Sequence, residues 1–263
     1  MSYDFTFYLG THQPNWLWNG ASRGPMFVAA HRMKRKSAFP ASTVPFALDS
    51  GGFNHLLREG KWTVSPREYA EHAQRIMVET GKMKWAAVQD WVCAPPVLAK
   101  TGKTVLEHQQ RTLESFFELR HLAPRVKWVP VLQGGTRDEY IQHVEMHEAA
   151  GVQLEKLDTV GIGSVAPRQS DEMVVKLLEE LHGRGIKLHG FGIKLEGLRQ
   201  SLPFLHSSDS MAWSWHPRKN GGDRNGQPDA EGYRKMINDE VRKMEEYVAY
   251  EGILEFFPMG DEA

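Results

Sequence analysis

The run Val126-Lys127-Trp128-Val129-Pro130-Val131-Leu132-Gln133-Gly134-Gly135-Thr136-Arg137-Asp138-Glu139 holds a strand, a turn and a helix start in immediate succession. Residues 126–132 are apolar and rich in β-branched side chains, as a buried strand requires. Gln133 ends the run, and Gly134-Gly135 lets the backbone turn. Thr136 and Glu139 then form a capping box: the hydroxyl accepts from a free N–H at the helix start, and the Glu reaches back to the cap. The box recurs at Thr104-x-x-Glu107 and at Ser65-Pro66-Arg67-Glu68, where proline takes the first helical position.

Similar units repeat along the chain. Further apolar runs lie at 5–9, 26–30, 44–48, 85–89, 159–163, 187–192 and 208–213. Between the later ones fall helical stripes: Tyr69, Ala73, Ile76 and Met77 in one case, Val174, Leu177, Leu178 and Leu181 in another. A last stripe runs Tyr233, Met236, Ile237, Val241, Met244, Val248, and Gly183 and Gly185 punctuate one helix end. Strand–helix alternation at this spacing means parallel βαβ units. Eight strand candidates favour a closed α/β barrel of the (β/α)8 TIM type over an open doubly wound sheet. Residues 10–43 contain no convincing helix, so the first third is expected to be irregular. With no repeat, low-complexity tract or linker, residues 1–263 are expected to form one barrel domain.

Composition narrows the function classes. A single Cys among 263 residues excludes a disulfide framework and any multi-cysteine zinc site. No apolar run approaches the roughly 18 residues of a membrane span, and Met1-Ser2-Tyr3-Asp4 opens with no basic region and apolar block. The expectation is a soluble, cytoplasmic protein. With 32 Lys+Arg against 33 Asp+Glu, no global field attracts nucleic acid, so polyanion binding must rest on local patches.

An α/β barrel carries its active site at the C-terminal ends of its strands. The polar residues that end the runs are Asp49, Asp90 and Gln133, then Gly161 and Gly163, then Asp209 in Ser207-Ser208-Asp209-Ser210. Carboxylates brought together raise one another's pKa, so one of them can act as an acid near neutrality. Each residue also has a plainer reading. A lone Asp at a strand end caps a helix or forms a turn, and Gly134-Gly135 can serve only the entry to the next helix. The residues alone support a pocket with two or more carboxylates and do not name a reaction. Such a pocket suits retaining glycosyl transfer, in which one carboxylate attacks the anomeric carbon and a second, protonated and roughly 5 Å away, assists the leaving group. An amide beside a carboxylate can read a purine edge, and Gly-rich strand ends let a flat ring approach the backbone.

Asp49-Ser50-Gly51-Gly52-Phe53 resembles the DSGGF signature of the tRNA-guanine transglycosylase superfamily. In the same order follow Gln89-Asp90, Val131-Leu132-Gln133-Gly134-Gly135, Gly161-Ile162-Gly163-Ser164-Val165, Gly190-Phe191-Gly192 and Asp209-Ser210, so the resemblance covers about residues 44–215. The chain is most similar to the DNA branch, the 7-deazaguanine DNA transglycosylases of bacterial and phage modification systems. The opening Phe7-Tyr8-Leu9-Gly10-Thr11-His12-Gln13-Pro14-Asn15-Trp16 resembles that branch, as does Asp209-Ser210-Met211-Ala212-Trp213-Ser214-Trp215. The tRNA enzymes hold a structural zinc on three Cys and one His, a set that Cys93 alone cannot supply.

The resemblance implies a barrel without the zinc subdomain and a role for each matching residue. Asp209 would be the nucleophile that displaces guanine and holds the deoxyribose covalently. Asp49 would be the general acid/base. Asp90 and Gln133 would bond the purine edge, with Ser50, Gly134, Gly161 and Gly163 completing the base site. Phe53 and His189 would sandwich the ring, although a satisfied strand histidine is the plainer reading of His189. Asn54 departs from the Gln of the tRNA enzymes, which removes the longer amide there. The implied reaction replaces guanine in DNA with a 7-deazaguanine, 7-cyano-7-deazaguanine foremost. It requires no cofactor or metal, because the bound base intercepts the glycosyl-enzyme.

The implied partners are DNA and the free 7-deazaguanine base. No membrane is involved, the oligomeric state stays open with a homodimer included, and the setting is the cytoplasm of a bacterial or phage-infected cell. The same exchange on tRNA and a non-catalytic nucleic-acid binder are the alternatives. Phosphate contacts are expected from two basic runs, Arg32, Lys34, Arg35 and Lys36 after the second strand and Arg218 and Lys219 after the nucleophile strand. Trp16, Trp18, Trp213 and Trp215 are candidate wedges for extruding the target base.

Overall fold

Strand β1 (Thr6–Thr11) pairs in parallel with β9 (Ser207–Ser210), so elements some 200 residues apart in the chain lie side by side. This and the other elements are seen in a computed structural model, which describes residues 4–34, 37–214 and 227–256, with the side chains of the last helix over 229–246. Between β1 and β9 come β2 (Met26–Ala29), β3 (Phe46–Asp49), β4 (Met83–Ala87), β5 (Trp128–Val129), β6 (Val131–Leu132), β7 (Val160–Ile162) and β8 (Leu188–Gly190). All pair in parallel, in the order β5-β4-β3-β2-β1-β9-β8-β7-β6.

The two ends of that order are one run of chain. Only Pro130 separates β5 from β6, and proline has no N–H to give to a ladder. The Lys127 and Val129 carbonyls accept from Ala86 and Val88 on the β4 side, at 2.9 and 3.3 Å. The Pro130 and Leu132 carbonyls accept from Gly161 and Gly163 on the β7 side, both at 2.9 Å. The run 128–132 therefore bridges β4 and β7 and closes the sheet into a nearly complete barrel. The eight expected runs and the TIM-like α/β fold are all present, one strand being broken in the middle.

Helices α1 (Gly52–Glu59), α2 (Pro66–Thr80), α3 (Pro95–Thr101), α4 (Val105–Leu122), α5 (Arg137–Ala149), α6 (Glu172–Gly183), α7 (Leu195–Ser201) and α8 (Gln227–Phe256) lie between and after the strands. The three capping boxes form as read: Ser65, Thr104 and Thr136 each accept from the backbone N–H three residues on, and each partner Glu reaches back. Among the described residues between β1 and β3, β2 is accompanied only by short 3-10 turns, at Pro14–Leu17 and Ala30–Arg32.

In α8, Ala230 and Ile237 are buried and Tyr233, Val241 and Met244 pack against the core. Met236, expected in that stripe, is 51 % exposed: the buried line steps by four from 233 to 237 to 241, and Met236 falls on the other side. The side chain of Val248 lies outside the described residues. Buried Arg234 ties α8 to the irregular first third, donating to the Pro25 carbonyl at 2.9 Å and to Ser22 Oγ at 3.0 Å.

The barrel interior is aromatic. Trp85 packs 5.7 Å from both Tyr8 and Phe27, and 4.8 Å from the His189 ring. Phe191 closes over His189 at 4.7 Å. Space for Phe191 comes from Gly161, where an added Cβ would lie 2.4 Å from Phe191 Cε2. Gly161→Ala is therefore expected to lower stability by about 2 kcal/mol through overpacking, read as a reduced midpoint in urea unfolding with an unchanged slope.

Candidate active site

Asp49 is the last residue of β3, and the turn that follows explains its neighbours. Gly51 sits at φ +79°, a conformation that favours glycine, and opens α1. Ser50 Oγ accepts from Gly52 N–H at 3.2 Å and donates to Asp90 Oδ1 at 2.9 Å. Gly52 leaves little room for a side chain, since an added Cβ would stand 3.0 Å from Asp90 Oδ1. The Asp-Ser-Gly-Gly order is thus a device for passing Asp90 close under the start of α1, where the helix N-terminus favours negative charge.

Asp90 lies in the loop after β4 and is only 8 % exposed. Its Oδ2 accepts from Gln133 Nε2 at 2.7 Å. The Gln133 Oε1 accepts in turn from Ser164 Oγ at 2.6 Å and from Cys93 N–H at 3.2 Å. Gln133 is fully buried, and its amide is bonded to protein groups on both sides. With Oε1 taken by Ser164 and Cys93 and one Nε2 hydrogen given to Asp90, the base contact expected of Gln133 would fall to its second Nε2 hydrogen. Gly163 makes room for this amide, since a Cβ there would fall 2.3 Å from Gln133 Nε2. The N–H groups of Gly161 and Gly163 are used in the β7 ladder, and the Gly163 carbonyl accepts from Tyr140 Oη at 2.6 Å. These glycines serve packing and pairing, not an open backbone edge. Gly134 likewise enters α5 closely, its carbonyl accepting from Arg168 Nη2 at 3.3 Å.

Asp209 is buried near the end of β9, beside Tyr8 in the β1 register. Gly192, at φ +69°, points its N–H at Asp209 Oδ1 at 2.9 Å, which accounts for the second glycine of Gly190-Phe191-Gly192. His189 Nε2 stands 3.4 Å from the same oxygen, and Nδ1 bonds Ser207 Oγ at 2.9 Å. The His189 ring is completely buried and enclosed by Tyr8, Phe27, Trp85 and Phe191. It has no free face for a base, which corrects the expected sandwich. Phe53, 43 % exposed in the first turn of α1, is the member of that pair with open surface.

Two of the expected wedges are also spoken for. Trp16 and Trp213 are buried and stack on each other at 5.5 Å, and Trp213 Nε1 donates to the Gly10 carbonyl at 2.8 Å. Trp18 is half-buried beside Phe39 at 6.5 Å. Trp215, Arg35, Lys36, Arg218 and Lys219 lie outside the described residues. Arg32 and Lys34 are exposed, just past the C-terminal end of β2.

Two of the carboxyl groups are raised from their ordinary range. Burial, then the charges of Asp90 and Asp209, push Asp49 up to about 7, opposed by the Gly51 N–H. Burial raises Asp90 to about 6, against the hydrogen bonds from Ser50 and Gln133. Among the described residues, no group of three or more His, Cys, Asp or Glu side chains is arranged to hold a metal ion. No described helix is long and apolar enough to cross a membrane.

These features meet an independent finding: the model of the DpdA family, DeoxyPurine in DNA protein A, matches residues 3–231. The chain belongs to that family. DpdA proteins are a DNA 7-deazaguanine transglycosylase family related to the tRNA-guanine transglycosylases, so the resemblance carried by the ordered motifs is borne out. No curated protein sequence matches the chain. Among solved structures, Rhizobium etli pyruvate carboxylase T882A with acetyl coenzyme A aligns with 75 % of this chain at 11 % identity and a TM-score of 0.34. The chain spans 21 % of that carboxylase, a likeness too slight to carry an argument.

Several residues of this DpdA-family site carry no signal in the sequence. Ser164 holds Gln133 from a left-handed conformation, φ +60°, the one such non-glycine among the described residues. Arg168 reaches the Gly134, Gly135 and Ser164 carbonyls and so ties two active-face loops together.

The raised Asp49 has a cost to folding with a defined sign. In the unfolded chain its carboxyl titrates near 3.9, so between that value and about 7 the folded state holds the proton more tightly. Stability from this group is present at low pH and lost as pH rises through about 7. Asp49→Asn is therefore expected to be more stable than the parent at pH 8, with the advantage shrinking toward zero as pH falls to about 4. Urea unfolding of both proteins across that range reads the difference. The buried His143 and His147, pushed down by burial, lose stability as pH drops, but they are common to both proteins and cancel.

Proposed function

We propose that this chain exchanges guanine in DNA for a 7-deazaguanine, 7-cyano-7-deazaguanine foremost, through a glycosyl-enzyme on Asp209. The reading is supported above all by the convergence of Asp49, Asp90 and Asp209 at the C-terminal ends of β3, β4 and β9, with Asp49 poised near neutrality. The DpdA family membership supports DNA as the substrate.

The placement of groups supports the following steps. Asp209 Oδ1 is held by the Gly192 N–H with His189 Nε2 3.4 Å away, while no described residue bonds Oδ2. Oδ2 attacks C1′ of the target deoxyguanosine. As the C1′–N9 bond breaks, Asp49 gives its proton to the departing guanine and becomes a carboxylate. The 7-deazaguanine takes the vacated site with Asp90 on its edge and Phe53 at its rim. Asp49 then removes the N9 proton, N9 attacks C1′, and the C1′–Oδ2 ester breaks to restore the Asp209 carboxylate. Both half-reactions use the same two carboxyl groups, and water has no part in either.

His189 is a positioning residue in this scheme. Anchored through Ser207, it holds the nucleophile against rotation from below, while the aromatic layer around it keeps the base of the site dry. Dryness strengthens each charge interaction above it.

Incubation of the protein with DNA and free 7-cyano-7-deazaguanine, followed by digestion and nucleoside mass spectrometry, is expected to give the deazaguanine deoxynucleoside. No product with any deazaguanine would overturn the reading. Asp209→Ala is expected to lose all exchange and to form no covalent adduct with DNA on a denaturing gel. Because Asp49 must start protonated, adduct formation is expected to decline as pH rises through about 7 in the parent. In Asp49→Asn it should be slower by at least a hundredfold across the range.

A further inference from the structure

Beside the Asp49 turn, past the ends of β2 and β3, a cavity of about 520 Å³ opens at the surface. Its size falls in the roughly 300–1,000 Å³ range of ligand sites. Ser50 and Gly51 form one wall, so the space begins one residue from the general acid/base of the proposed reaction. Lys34, Arg58, His55 and Trp62 are among the other lining residues. None of these four has a part in the base-exchange chemistry.

The lining is cationic without matching anions. Lys34 has no ion pair among the described residues. Arg58 meets only its chain neighbour Glu59, at 2.6 Å with 70 % of the Arg side chain exposed, a pairing of little energetic weight. Glu68 is the one carboxylate among the lining residues, and it is turned to the Ser65 N–H and Oγ at 2.8 and 2.7 Å in the α2 capping box. His31 and His55 are held below the ordinary histidine range, first by burial and then by cations: Arg32, Lys34 and Arg58 act on His31, and Arg58 on His55.

The same space carries a flat surface. Trp62 packs against the apolar cluster around Leu56 and Trp91, stacks on His55 with centroids 4.7 Å apart and planes 24° apart, and stays half-buried at the cavity wall, its indole N–H without a partner. A small anion would account for the cations and leave the Trp62 side of the cavity unfilled. A nucleotide accounts for both, because single strands are held by cations along the backbone and aromatic rings under the bases. Geometry adds a further reason. A guanosine drawn into the barrel mouth remains joined to the strand on both sides, and its neighbours must rest on the surface next to the carboxylates.

We propose that this cavity is a subsite for the nucleotide adjacent to the target guanosine, with its phosphodiester on Lys34 and Arg58 and its base against Trp62. The assignment rests on the base-exchange reading above and extends it from the reacting residue to its neighbour. In a chain of net charge −1, it supplies local attraction for a polyanion that the whole molecule lacks.

The test uses the full chain and its Arg58→Ala, Arg58→Glu and Trp62→Ala variants, with a fluorescein-labelled single-stranded deoxyoligonucleotide read by fluorescence anisotropy over a salt series. The parent is expected to bind with a salt-dependent Kd that rises at least tenfold in Arg58→Ala and further in Arg58→Glu. The slope of log Kd against log salt should drop by about one on loss of Arg58. Trp62→Ala is expected to weaken binding with the slope intact. Should Trp62→Ala misfold, as judged by circular dichroism, the two Arg58 variants decide the matter from the surface. Parent-like affinity and slope in the Arg58 variants overturn the subsite.

A second arm measures exchange on oligonucleotides randomised at each neighbour of the target guanine. A preference at one neighbour that flattens in Trp62→Ala supports the subsite, and an unchanged preference contradicts it. If the parent binds as expected but inserts no deazaguanine, the base-exchange reading falls while the anisotropy data still judge the cavity. If the parent inserts the base and the variants bind as it does, the subsite falls alone.

Discussion

The Asp90 carboxylate accepts from Ser50 on one oxygen and from Gln133 on the other, and the rest of the barrel mouth is arranged around those two bonds. A carboxylate buried this deeply is costly unless its hydrogen bonds are made. Making them draws together the loops after β3, β4, β6 and β7, because Ser50 opens the first, Gln133 leaves β6, and Ser164 and Cys93 N–H hold the far side of the amide. The constraint passes outward as a demand for small residues. Gly52 and Gly163 stand where a side chain would crowd Asp90 or Gln133. Tyr140 and Arg168 then occupy the carbonyls that those tight passages leave exposed to the interior.

Beneath this polar layer the barrel is filled by rings, where the general pattern for such barrels is branched aliphatic side chains. Tyr8, Phe27, Trp85 and His189 come from β1, β2, β4 and β8; Tyr8 and His189 meet Trp85 at steep angles of 76° and 70°, and Phe27 is tilted against Trp85 and His189. Edge-to-face contacts of this type give the layer a preferred geometry as well as bulk. His189 belongs to both layers, since its carbon edge packs among the rings while its nitrogens meet Ser207 and Asp209. The Asp209 carboxylate, seated on such a floor, has little freedom to drift.

Strands and capping boxes are readable in the amino-acid sequence because they depend on local order: apolar runs for the former, a hydroxyl and a Glu three residues on for the latter. The convergence of Asp49, Asp90, Gln133 and Asp209 is readable too, since parallel strands bring their ends to one face whatever the details. Partner choice is not local, and there sequence reasoning reaches its limit. Nothing in Leu132-Gln133-Gly134 shows that the amide is bonded to Asp90 and Ser164, nor in Leu188-His189-Gly190 that the ring is completely buried. Trp16 and Trp213 are far apart in the chain and pair only after β1 meets β9. The left-handed Ser164 has no signature in residue type, because it is imposed by the network it completes.

The pairing of β1 with β9 also sets the order in which the molecule can be made. A ribosome releases β1 early, but its neighbour on that side does not exist until residue 210 has been added. During the interval the incomplete sheet has two open edges, each offering unpaired backbone donors and acceptors to any other strand nearby. The short lengths of β2 through β9 limit that hazard, since none presents more than five residues in register. Six-residue β1 is the exception, and it is the edge that waits longest for cover. Misassembly during synthesis would therefore begin there, through nascent chains exchanging their first strands before the ring is joined.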